Sequence, residues 1–105
     1  MSKIDQAREH YTGVLEDLRV KSGQYDHAIN IRKKTLEELV VLIRSLKEII
    51  KDLARKNKST GRLNRLKNQY VEDYKMHLGV LMNLKHMLAA TRNEAYYLEL
   101  LLKGA

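Results

Sequence analysis

The chain has 105 residues, a mass of 12.3 kDa, a formal net charge of +7 and a sequence pI near 9.7, enough length for one domain but not comfortably for two. It holds no Cys, Pro, Trp or Phe and only five Gly. That excludes a disulfide framework, a Cys-ligated zinc site and thiol catalysis, and it argues against an all-β fold, which needs frequent turns. The apolar runs are only a few residues long and the N-terminus lacks the apolar core of a signal peptide, so the expectation is a cytoplasmic, all-α protein without a membrane span.

The first helix signal is Ser2 followed three residues later by Asp5, a loose capping box whose side-chain oxygens accept orphan amide protons of the first turn. From there a period of seven begins. One row reads Ile4, Tyr11, Leu18, Tyr25, Arg32, Leu39, Leu46, Leu53. The row three residues further on reads Ala7, Val14, Lys21, Ala28, Thr35, Leu42, Ile49, Lys56. Together they predict a coiled-coil-like seam interrupted by Lys21, Arg32 and Lys56. Leu15, Val40, Val41, Ile43 and Ile50 widen the apolar stripe beyond what one neighbouring helix covers. The helix is expected over residues 3–57. Ser22-Gly23-Gln24 offers a break near residues 22–25, which would make three helices, but a lone Gly without Pro is a weak breaker and the heptad passes through it unchanged.

Asn57-Lys58-Ser59-Thr60-Gly61 is the one turn-rich cluster, with Asn57 suited to a left-handed C-terminal cap and Ser59 or Thr60 to the next N-cap. A turn is therefore expected over residues 57–61, and a second helix over 62–103. Its apolar positions are Leu63, Leu66, Tyr70, Tyr74, Leu81, Leu84, Leu88, Ala95, Leu98 and Leu102. The predicted architecture is a long antiparallel helical hairpin in a single domain over residues 1–105. At 1.5 Å per residue an unbroken first helix would be about 80 Å long. One hairpin of that kind cannot hide two wide stripes, so a homo-oligomer is expected, a four-helix dimer first. Its seam would set Leu39, Leu42, Leu46, Ile49 and Leu53 against Leu81, Leu84, Leu88, Leu98 and Leu102.

The charge is concentrated in one place. Residues 1–29 carry a net −1 and residues 68–105 a net zero, while residues 30–67 carry +8. Seven of those cations flank the expected turn: Lys51, Arg55, Lys56, Lys58, Arg62, Arg65 and Lys67. Cations in the last turn of the first helix complement its dipole, but Arg62, Arg65 and Lys67 open the second helix, where they do not. An anionic partner explains them: the phosphates of a nucleic acid, or an acidic protein surface. Tyr70 and Tyr74 lie close enough to stack on bases, yet they also fall on the apolar stripe and are expected to pack there. Adjacent Tyr96 and Tyr97 cannot share one helix face, so one of them is expected to be exposed.

Nothing points to catalysis. His10, His27, His77 and His86 are too far apart for a local metal pair, and Asp73 with His77 at i, i+4 reads as an ordinary surface or edge-of-core pair. There is no Glu-x-x-His repeat for a di-iron bundle and no Gly-rich phosphate loop. The sequence therefore predicts a non-enzymatic helical interaction protein, an adaptor, chaperone-like or structural oligomer, with neither cofactor nor metal. The alternative is a nucleic-acid-binding protein that uses the basic tip.

Overall fold

In the computed structural model, which describes residues 2–104, α1 spans Lys3–Arg55 and α2 spans Gly61–Gly104. The fold is all-α, a helical hairpin whose two helices pack against each other, and no strand occurs among the described residues. No helix is long and apolar enough to cross a membrane. The two stretches at the chain ends, through Ile29 and from Asn83 onward, form one compact unit, and Asn30–Met82 forms a second.

Both ends of the turn follow from local chemistry. Ser2 Oγ accepts from the Asp5 amide at 3.2 Å and donates to the Asp5 carboxylate at 2.9 Å, so the expected cap starts α1. At its other end Asn57 takes a left-handed φ of 56°. The Lys58 amide reaches the Leu53 carbonyl at 3.0 Å and the Asn57 amide reaches Ala54 at 3.1 Å, the paired bonds of a Schellman cap. Thr60 holds the N-cap position of α2: its carbonyl accepts the Asn64 amide at 2.9 Å, and its hydroxyl accepts from the Asn64 side chain at 3.0 Å. Between these caps α1 continues unbroken through Ser22-Gly23-Gln24, so the break considered there is not taken.

In the turn unit, α1 buries Leu36, Leu39 and Leu46 and half-buries Ile43, Ile50 and Leu53. From α2 come buried Leu81 and half-buried Leu63, Tyr70 and Tyr74. In the unit of the chain ends, Leu15 and Ile29 of α1 are buried, with Leu18 and Tyr25 half-buried. Leu88, Thr91 and Ala95 of α2 are buried there, flanked by half-buried Leu84, Leu98 and Leu102. Thr91 silences its hydroxyl by donating to the Met87 carbonyl at 2.8 Å, one helical turn back.

These side chains define the seam and correct the expected one. The row Leu18-Tyr25-Arg32-Leu39-Leu46-Leu53 faces inward as predicted. Its companion is not the row of Val14, Lys21, Ala28, Leu42 and Ile49 but the row on the opposite flank: Leu15, Ser22, Ile29, Leu36, Ile43, Ile50. Leu42 and Ile49, expected in the seam, stand 44% and 47% exposed. The reason is desolvation. The expected row would bring Lys21 and Lys56 against apolar neighbours, whereas the observed row has only Ser22 as a polar member.

Candidate interaction surface

Packing two helices along one seam leaves the other rows of each helix in solvent. In the turn unit the rows beside the seam differ between its two edges. Antiparallel pairing sets the row flanking Leu39 and Leu46 on the same edge as the row flanking Leu63 and Tyr70. That edge carries Thr35, Leu42 and Ile49 from α1 with Leu66, Asp73 and Val80 from α2. Leu66 is 40% exposed, and Thr35, Asp73 and Val80 are half-buried. The opposite edge interleaves Val40, Val71 and Leu78 with exposed Lys33 and Lys47. Farther out on α1, Val41 is 61% exposed and lines an open groove with Glu37, Glu38 and Leu42.

The unit of the chain ends treats its edges differently again. One is closed by two ion pairs between the helices, Arg19 to Glu99 at 2.9 Å and Arg92 to Asp26 at 2.8 Å. Each pair is half or more exposed on its basic side, so it fixes register more than it adds stability. Elsewhere on this unit apolar surface lies open: Ile4, Ala7, Tyr11, Leu101 and Leu102 share a groove with Arg8. Tyr96 and Tyr97 are both exposed, where one was expected, because the seam passes through Ala95 and Leu98 on the other side of the helix.

The basic tip also belongs to the turn unit. Lys51, Arg55, Lys56, Lys58, Arg62 and Arg65 are exposed, and Lys67 is half-buried at a seam position. Lys56 pairs with Asp52 one turn back at 3.0 Å. Among the described residues the other six have no carboxylate partner. They do not gather on one face. Arg55 and Arg65 occupy the rows farthest from the seam of their helices, while Lys51 and Arg62 sit to the side.

Of the predicted seam residues, Leu39, Leu46, Leu81 and Leu88 are buried and Leu53, Leu84, Leu98 and Leu102 are half-buried inside the hairpin. Sequence reasoning passed over one polar contact. Arg32, read as an interruption of the heptad, donates to Nδ1 of His77 across the seam of the turn unit, and both are half-buried. Arginine has donors only, so Nδ1 is the acceptor and the imidazole carries its proton on Nε2. The signal that could have found it was a cation and an imidazole, each at an inward heptad position. Asp73 makes no hydrogen bond to His77, and no cluster of three or more His, Cys, Asp or Glu among the described residues could hold a metal.

No protein-family model matches this chain, and neither a curated protein nor a solved structure matches it.

Proposed function

We propose that this protein is a non-catalytic helical interaction module that associates with itself and works by burying its remaining apolar rows against other helices. The observation that carries the reading is the set of large apolar side chains left in water beside a seam that is already complete. Leu42, Ile49, Leu66, Met76 and Met82 are all at least 40% exposed within one unit. Exposed apolar rows rimmed by polar residues mark interaction surfaces, and an amphipathic helix is recognised by laying such a row into a groove. The lack of cysteine suits the reducing interior of a cell, where a helical adaptor or chaperone-like partner would act. Sedimentation of the full chain at micromolar concentration is expected to show a dimer or larger species. A strictly monomeric chain up to the solubility limit would overturn the reading.

A second reading has its own observation, the six cations of the tip that lack a carboxylate. Lys51, Arg55, Lys58, Arg62, Arg65 and Lys67 would neutralise phosphates of DNA or RNA, with affinity falling steeply as salt rises. Arg62→Ala with Arg65→Ala is then expected to weaken binding and reduce the salt slope by about one for each phosphate no longer neutralised. If the chain retains neither nucleic acid at about 50 mM salt, where such electrostatic contacts are strong, this reading fails.

A further inference from the structure

We infer that the edge of the turn unit built by Leu42 and Ile49 of α1 with Leu66 and Val80 of α2 is where a second copy of this chain docks. The inference rests on the self-association proposed above and names its surface. Three of these side chains are 40–47% exposed, and the fourth is half-buried. They form contiguous apolar rows one step outside the seam, while the opposite edge is broken by Lys33 and Lys47.

Area favours a copy as the occupant. The chain exposes 8207 Å², whereas a compact monomer of 12.3 kDa would expose about 6,100 Å². The surplus of about 2,100 Å² exceeds the roughly 800 Å² that each partner contributes to a standard stable interface. A monomer of ordinary economy would not leave that surface wet, and a second hairpin removes it from water by the same packing that built the first seam. The edge also suits two-fold symmetry, because it presents apolar residues from both helices, so one patch can meet its own copy. The product is a four-helix arrangement in which each hairpin supplies two helices.

The test compares the full chain with Leu42→Lys plus Ile49→Lys, and with Val41→Lys as a control. Val41 is 61% exposed but faces away from the edge. Sedimentation equilibrium reads association, and circular dichroism verifies helix content. The expected result is a dimer for the parent chain and for Val41→Lys, with the edge variant weakened by at least about tenfold per substitution. Equal association of all three would overturn this edge as the interface while leaving self-association standing. A monomeric parent chain would overturn both. Should the double variant lose helix, Leu66→Lys gives the same comparison from α2.

Discussion

Arg32 and His77 show how a polar pair is accommodated in a heptad seam. Each side chain would be costly there alone, since a half-buried donor or acceptor without a partner forfeits its hydration. Together they satisfy one another. His77→Leu is expected to destabilise the hairpin by on the order of 1–2 kcal/mol, because Arg32 then lacks its acceptor. Adding Arg32→Leu should recover that loss or more, as replacing both members of a buried polar pair by apolar residues often does. Chemical denaturation of the two single variants and the double variant measures the coupling; additive effects would count against the pair. The cap at Asn57 is a second test at this scale. With φ at 56°, Asn57→Ala should cost about 1 kcal/mol through left-handed strain, while Asn57→Gly should be neutral or stabilising.

For the helices, continuity of α1 through Gly23 has a direct consequence. A Cβ built on Gly23 meets nothing within 4 Å, and its φ is not in the left-handed region. Gly23→Ala should therefore stabilise α1 by about 0.5–1 kcal/mol and raise Tm by a few degrees. A loss of stability would mean that the glycine is needed for a bend or a close approach. The same helix shows how far its pattern could be read without a partner. The cap at Ser2, the left-handed Asn57 and the row ending in Leu39, Leu46 and Leu53 were legible, because each depends on residues within a few turns. Its second inward row was not. Apolar residues flank the first row on both sides, and a helix considered alone has no reason to prefer Ile43 and Ile50 over Leu42 and Ile49.

For the whole molecule, the surface left exposed and the charge at the turn pull in different directions. Apolar rows favour association, whereas cations gathered in one unit repel their counterparts in a neighbouring copy unless salt or an anion intervenes. If a second copy binds the folded state, thermal stability should depend on protein concentration: a tenfold increase is expected to raise Tm by a few degrees through mass action. An invariant Tm across that range would count against association. Moderate salt should strengthen self-association by screening the tip, and it should weaken any nucleic-acid binding. One titration therefore separates the two proposed roles.

Length, the missing Cys and Pro, and the seven-residue period were enough to specify two capped helices and a basic turn, because helix formation and capping depend on near neighbours. The candidate surface was only half legible, since Leu42 and Ile49 were recognised as apolar and helical but assigned to the inside. Three features waited for the second helix. They are the flank of α1 that is buried, the Arg32–His77 pair 45 residues apart in sequence, and the pairing of Arg19 with Glu99 across 80. Each depends on which side of α1 its partner covers. That choice is made by desolvation, which keeps Lys21 and Lys56 in water and thereby leaves Leu42 and Ile49 outside.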